Sequence, residues 1–170
     1  MSQERIVRTK LIPPLLHRRI LERSRVLDKL YEALDYRLTI VQAGTGYGKS
    51  TALAALAQTG VALAWYHLER EDADPSMFLP HLFHSFHEAL PNLADTPLAV
   101  LEGFAAYTSE SGAAFVSLLI NVLVEEGSAP VFLVLDDVHR LHTAKDLLAL
   151  LDRLIAYAPA RLHVILSTRY

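Results

Sequence analysis

The sequence contains no cysteine, so it can form neither a disulfide framework nor a zinc site built on thiolates. It also has no uninterrupted apolar run that could cross a membrane, because Gln58-Thr59-Gly60 breaks the uncharged stretch from Ser50 to Leu68. The opening residues MSQERIVRTK are too charged for the apolar region of a signal peptide. We therefore expect a cytoplasmic globular protein that makes no membrane contact.

No excess of charge of one sign dominates the chain. The formal net charge is -3, which provides no overall attraction to nucleic acid. Half of the 16 lysines and arginines nevertheless lie between Arg5 and Lys29. We interpret this basic segment as a solvated or interdomain surface, with contact to a nucleotide as the alternative, and we expect no direct DNA binding.

Short apolar strands alternate with helical segments along the chain. The strand candidates are RLTIVQA, VALAWYHL, PVFLVLDD and RLHVILST, and apolar residues recur at helical spacing between them. This alternation predicts an α/β fold with a parallel sheet, in which ligands bind at the carboxyl ends of the strands. The stretch from Pro91 to Ser111 has no clear period and is predicted to be a loop with one short helix at most.

The segment AGTGYGKS, Ala43 to Ser50, follows the first strand and matches the phosphate-binding loop pattern, with alanine in place of the first glycine. Glycines let the chain curl its backbone N–H groups around phosphate, and the following helix adds positive potential. In this pattern Lys49 reaches the β- and γ-phosphates and Ser50 supplies a hydroxyl to Mg²⁺. The residues predicted to surround the nucleotide are Ala43, Gly44, Thr45, Gly46, Tyr47, Gly48, Lys49, Ser50 and Thr51.

Two further strands end in side chains suited to phosphate chemistry. VFLVLDD ends in Asp136, predicted to hold Mg²⁺, and Asp137, predicted to orient or polarise the water that attacks the γ-phosphate. Two acids after a buried strand also occur as a helix N-cap, so this interpretation depends on the phosphate loop upstream. RLHVILST is followed by Arg169, which is placed to contact the γ-phosphate; the alternative is an ordinary solvated arginine.

The histidines do not form a metal pattern. His81, His84 and His87 follow one another in steps of three, which drift around a helix, and no acid or thiolate joins them at ligand spacing. We expect them at the margin of a packed helix surface. His139 and His142, just beyond the two acids, are expected to be turn or packing residues.

Together these motifs resemble the N-terminal nucleotide-binding module of the STAND ATPases, in particular the MalT-like ATP-binding regulators of the LuxR group. The segments that carry the resemblance are VRTKLIPP, LERSRVLDKL, AGTGYGKST, AWYHLEREDADPSMFLPHL, LVLDDVHRL and LSTR. The resemblance implies a P-loop NTPase three-layer sandwich with a mostly parallel central sheet, truncated after the sensor strand. Residues 1–36 would be a basic segment and helix of the nucleotide-binding module, and residues 37–170 the P-loop core, incomplete at its C-terminus.

The resemblance also implies residue roles and a function. Arg169 would be the γ-phosphate sensor, and Val7 and Arg8, or Arg23, would lie near the adenine. The chain would be an ATP/ADP- and Mg²⁺-binding switch of a transcriptional regulator and at most a weak ATPase, with ATP and either its own copies or C-terminal domains as partners. A P-loop kinase, a DNA-processing ATPase and a binding module without turnover remain as alternatives. Because LTIVQA would lie at an exposed sheet edge, we expect marginal stability or aggregation.

Overall fold

Four parallel strands form the sheet in the computed structural model, which describes residues 6–16 and 24–169. The strand order is β1-β4-β3-β2, and neighbouring strands are parallel. The bounds are β1 Leu38–Gln42, β2 Ala62–His67, β3 Val131–Asp136 and β4 Leu162–Thr168. The sequence prediction of an α/β fold with a parallel sheet is confirmed.

Helices connect the strands and cover the sheet. Their bounds are α1 Ser24–Tyr31, α2 Lys49–Ala54, α3 Pro75–Ala89, α4 Thr96–Glu102, α5 Ser109–Glu126 and α6 Lys145–Tyr157. A short 3₁₀ turn at Arg8–Leu11 precedes α1, and others follow helices or strands at Glu32–Asp35, Ala55–Gln58, Arg70–Ala73 and Val138–Leu141. The sequence predicted a loop with at most one short helix between Pro91 and Ser111, and the structure has α4 there. Within the described residues no helix is long and apolar enough to span a membrane.

The central strand β3 is buried on both faces, which produces two cores. Its residues Leu133 and Leu135 pack in the larger core, while Phe132 and Val134 pack in the smaller one. The larger core includes side chains of α3, α5 and α6, and the smaller one includes side chains of α1 and α2. This is the three-layer arrangement, and it explains why VFLVL is an unbroken apolar run.

Strand β1, which carries the phosphate loop, lies at the edge of the described sheet, as predicted. It pairs with β4, and its residues alternate between exposed and partly buried. Ile40 is 61% exposed. One face of β1 therefore has no helix over it in the part of the chain that the structure describes.

The basic N-terminal segment is not simply a solvated surface, and this corrects the sequence interpretation for Lys10. Lys10 is 6% exposed, and its Nζ atom lies 3.0 Å from carboxylate oxygens of Glu69 and Glu71 and 3.1 Å from Asp72 Oδ2. Burial alone would lower the pKa of Lys10, but hydrogen bonds to these carboxylates raise it above its ordinary value. The part of the segment around Lys10 is thus anchored to the turn that follows β2.

Candidate functional site

The phosphate loop has the backbone conformation that its glycines predict. Gly46 and Gly48 adopt φ angles of 82° and 75°, in the left-handed region that other residues enter only at a cost. A Cβ at either position would meet no atom within 4 Å, so backbone conformation rather than crowding selects glycine here. α2 begins directly after Gly48, and strand, loop and helix follow in the predicted order.

Lys49 is folded back over its own loop. Its Nζ atom donates to the carbonyl oxygen of Ala43 at 2.7 Å and to that of Gly44 at 3.2 Å. The ammonium group therefore stays beside the curled backbone, at the place where the sequence motif puts phosphate. Tyr47, at the tip of the loop, is 72% exposed.

Asp136 connects the phosphate loop to the end of β3. Its carboxylate is 1% exposed, and its Oδ2 atom accepts a hydrogen bond from Ser50 Oγ at 2.8 Å and lies 3.1 Å from His67 Nδ1. Burial alone would raise the pKa of Asp136, but the hydrogen-bonding groups of His67, Ser167 and Ser50 hold it below its ordinary value. Among the described side chains, only His67 and Ser50 bond this carboxylate with regular geometry, and its buried Oδ1 atom has no hydrogen-bond partner among them.

Ser50 and Asp136 fit a magnesium ion. Mg²⁺ prefers hard oxygen ligands and takes few from the protein, with phosphate and water completing its octahedron. A hydroxyl joined to an ionised carboxylate whose second oxygen is buried and without a partner provides such a donor set. No group of three histidines, acids or cysteines that could hold a metal occurs among the described residues, so a cation here would depend on nucleotide phosphate and water.

Asp137 faces a different set of partners from Asp136. It follows β3 with a φ angle of 63°, and its side chain is 10% exposed. Its Oδ2 atom lies 3.2 Å from Arg169 Nη2, and its Oδ1 atom lies 3.8 Å from His139 Nδ1. Arg169 also has a buried Nε atom without a hydrogen-bond partner in the described part of the chain. Arg169, predicted to contact the γ-phosphate, and Asp137, predicted to orient or polarise the attacking water, therefore form an ion pair.

One functional candidate, His67, was missed by the sequence reasoning. It is the last residue of β2 and stands directly beside Asp136 in the strand register. Its hydrogen bond to Asp136 raises the pKa of His67 above its ordinary value. The available signal was that VALAWYHL carries His67 near its end and VFLVLDD ends in two acids, so that these polar residues lie at the carboxyl edge of one sheet.

His81 is buried in α3 at 1% exposure rather than lying at the margin of its packed surface, which corrects the sequence expectation for this residue. His81 uses both ring nitrogens, since Val7 N donates to Nε2 at 3.1 Å and Nδ1 lies 2.7 Å from the carbonyl oxygen of Met77. Burial lowers the pKa of His84, and His87 lies 4.0 Å from Asp95.

The family resemblance places Val7 and Arg8, or Arg23, near the adenine. Val7 is engaged with α3, and Arg23 lies outside the described residues.

A cavity of about 360 Å³ lies between the start of α3, α4 and the loop that follows α4. Apolar side chains dominate its lining, among them Ile6, Met77, Leu98 and Phe104. None of the predicted phosphate-contacting residues lines it. It therefore does not provide an acceptor pocket beside the phosphate loop, which a kinase would need.

Comparison with known proteins agrees with this geometry. The chain is 32% identical over 134 residues to the HTH-type transcriptional regulator MalT of Yersinia enterocolitica, an alignment covering 79% of this chain and 14% of that protein. It is 31% identical over 146 residues to the serine/threonine-protein kinase PknK of Mycobacterium tuberculosis, covering 84% of this chain and 13% of the kinase. The chain thus spans about one seventh of the length of these relatives.

The fold matches that of a Walker-type ATPase of Pyrococcus abyssi, with a TM-score of 0.62 at 19% identity, over 92% of this chain and 47% of that one. At that identity the likeness shows the fold alone, an α/β P-loop NTPase fold. The family model described as an AAA domain matches residues 34–170. The chain is therefore related to MalT-like regulators and belongs to the AAA domain family.

Proposed function

We propose that this chain is the Mg-ATP-binding switch module of a transcriptional regulator, with slow or no hydrolysis of its own. The observation that carries the proposal is the 2.8 Å hydrogen bond from Ser50 to Asp136. It joins the phosphate loop to the acid at the end of β3, two parts that are far apart in the sequence. In P-loop proteins that pair holds Mg²⁺ against nucleotide phosphate.

The proposed roles follow from the positions of the side chains. The backbone N–H groups of the phosphate loop bind phosphate oxygens. Lys49 turns from its carbonyl partners to the β- and γ-phosphates, where both donor and acceptor are charged and the bonds are stronger. Ser50 and Asp136 hold the cation. When bound, Mg²⁺ neutralises charge on the phosphates. Arg169 binds the γ-phosphate, and Asp137 orients the attacking water.

The ion pair between Asp137 and Arg169 supports a switch rather than a fast enzyme. While the pair is closed, Arg169 is drawn toward a carboxylate and Asp137 is neutralised, so neither is free to act on a γ-phosphate. ATP offers Arg169 a competing anion and ADP does not. A ligand shifts a conformational equilibrium only through different affinities for the two states. The γ-phosphate contact supplies that difference here.

The domain organisation and partners are part of the proposal. Residues 1–36 form a basic segment and helix of the nucleotide-binding module, and residues 37–170 form the P-loop core. The similarity to MalT supports further domains of a full-length regulator, or self-association, as the partners of the switch. The kinase activity in the name of PknK belongs to that protein, of which this chain covers 13%.

A binding experiment with two variants tests the proposal. Lys49→Ala should weaken binding of both ATP and ADP by roughly tenfold or more, because a hydrogen bond to a charged group contributes about 1.5–3 kcal/mol. Arg169→Gln should weaken ATP binding in Mg²⁺ buffer but leave ADP binding unchanged. Lys145→Ala, at the exposed start of α6, is the matched control. Titration calorimetry gives all affinities.

Two results would contradict the assignment. If Lys49→Ala leaves the ATP and ADP affinities unchanged, the phosphate loop does not bind the nucleotide. ATP turnover that survives this substitution would show the same. Equal losses for ATP and ADP in Arg169→Gln would leave a nucleotide site but not a γ-phosphate sensor.

The second candidate is a nucleotide-binding interaction module without turnover. The closed pair of Asp137 and Arg169 favours it, since the residue that would activate water is occupied. Nucleotide binding with no hydrolysis, even in the presence of the regulator's other domains, would support this candidate.

A further inference from the structure

His67 holds the carboxylate of Asp136 at the point where the strand ladder ends. β2 and β3 run in register up to the pair formed by His67 and Asp136, and the next amide, Leu68 N, donates to the carbonyl oxygen of Asp136 at 2.9 Å. The backbones on both sides of the contact are thus tied together. The distance between the two side chains is set by the sheet and not by a movable loop.

The hydrogen bond from His67 restricts how the carboxylate of Asp136 can rotate. The last torsion of an aspartate is broad, and without His67 the regular hydrogen bond from Ser50 and the neighbouring hydroxyl of Ser167 would remain to hold it. His67 Nδ1 and Ser50 Oγ both approach the same atom, Oδ2, at 3.1 Å and 2.8 Å. Because an ionised carboxylate can only accept, the hydrogen lies on Nδ1. Two donors on Oδ2 leave Oδ1 as the oxygen that is open to a further partner.

We propose that His67 is a positioning residue that holds Asp136 in the orientation required for Mg²⁺-dependent nucleotide binding. The inference rests on the proposed function. His67 would touch Asp136 and not the cation, since Nδ1 is already hydrogen-bonded to the carboxylate. Such partners of metal-binding groups typically change metal affinity by about 10–100-fold when removed. His67 acts on the cation only through Asp136.

We expect variants at His67 to fold, because the side chain of His67 is 43% exposed. Its removal leaves no large cavity in the core. His67→Ala deletes the donor. His67→Asn retains it, because the amide nitrogen of asparagine occupies nearly the same place as Nδ1 of histidine. His87→Ala, on the margin of α3 and 41% exposed, is the control for loss of an imidazole elsewhere.

The experiment measures the affinity of each protein for a non-hydrolysable ATP analogue by titration calorimetry, once with Mg²⁺ and once with a chelator. The quantity compared is the gain in affinity that Mg²⁺ produces. His67→Ala should reduce this gain about tenfold and leave the affinity without Mg²⁺ unchanged. His67→Asn should restore most of the gain, and His87→Ala should behave like the unsubstituted chain. Thermal unfolding of each variant monitors the fold.

Several results would overturn the inference. A full Mg²⁺ gain in His67→Ala shows that Asp136 needs no second donor, while the proposed function stands. Equal losses with and without Mg²⁺ show a general structural effect, and failure of His67→Asn to restore the gain shows that the donor is not the cause. If the unsubstituted chain binds no nucleotide, or shows no gain from Mg²⁺, the proposed function fails together with the role of His67.

Discussion

At the scale of single residues, Asp136 and Asp137 show how neighbouring carboxylates acquire separate surroundings. Asp136 is the last residue of β3 and stays extended, whereas Asp137 turns into the left-handed region. The change in backbone direction sends one side chain to Ser50 and His67 and the other to Arg169. These contacts divide the pair between the proposed cation position and the proposed γ-phosphate position.

The residues of the phosphate loop and the two acids could be predicted from sequence because their chemistry is local. Lys49 and Ser50 follow the glycines at fixed spacing, and Asp136 ends an apolar run. His67 could not be predicted in the same way. Its partner is 69 residues away, and only the register between two strands brings them together. A single residue of slip would place His67 on the other face of the sheet.

His84 gives a prediction for pH dependence. Burial lowers the pKa of His84 in the folded chain, so below its unfolded pKa of about 6.5 the unfolded chain binds more protons and the folded state loses stability. When the pH is lowered from about 7.5 to about 5.5, the free energy of unfolding should therefore fall less in His84→Gln than in the unsubstituted chain. Urea unfolding at the two values measures the free energy of unfolding.

The comparison with the unsubstituted chain isolates His84 from other histidines. His67 has a raised pKa, so its contribution has the opposite sign and is lost as the pH rises through its folded-state pKa. It is the same in both proteins. His142→Gln, at an exposed turn residue, is the control, and an equal decline in all three proteins would contradict the prediction.

At the scale of elements, the anchored N-terminal segment is the main difference from the sequence interpretation. The composition of the segment shows only that it is basic. Its partners, Glu69, Glu71 and Asp72, lie about 60 residues later, in the 3₁₀ turn that follows β2 and just before it. The long-range contact that buries Lys10 therefore leaves no local signal in the sequence.

Lys10→Met should destabilise the chain by about 3 kcal/mol, because it leaves buried charge without its partner. Asp72 is fully buried, and its remaining bonds come from the Tyr66 hydroxyl at 2.8 Å and the Glu69 amide at 2.7 Å. The two exposed glutamates lose little. The midpoint of urea unfolding measures the effect.

Lys29→Met, at an exposed lysine of α1, is the matched control for Lys10→Met and should cost less than about 0.5 kcal/mol. Equal effects of the two substitutions would show that the ion cluster contributes nothing specific to stability.

At the scale of the whole molecule, the alternation of strands and helices was sufficient to predict a parallel sheet, because each element carries its own period. The strand order was not contained in that pattern. Non-consecutive strands β1 and β4 are neighbours, and the family resemblance rather than periodicity indicated that the phosphate-loop strand would lie at an edge. Edge position has consequences for association, since unpaired strand groups and exposed apolar residues form a template for another chain.

Ile40→Lys should reduce self-association of the chain and leave the nucleotide affinity of the monomer unchanged. Ile40 is 61% exposed on β1, and a lysine at an edge opposes pairing with a second strand. Light scattering over a range of protein concentrations measures the change. Val124→Lys, at a similarly exposed apolar position on α5, is the control. An unsubstituted chain that stays monomeric at every concentration and melts cooperatively would contradict the expectation.

The position of β1 also means that the two halves of the candidate site, the acids and the phosphate loop, are supported by different numbers of strands. The acids lie at the end of β3, which has a strand on each side, whereas the phosphate loop follows β1, which has one described neighbour. A segment that pairs with the open side of β1, from the same polypeptide or from another copy, would restrain the phosphate loop relative to the two acids. Assembly and nucleotide affinity would then be linked through a single strand, so that each strengthens the other.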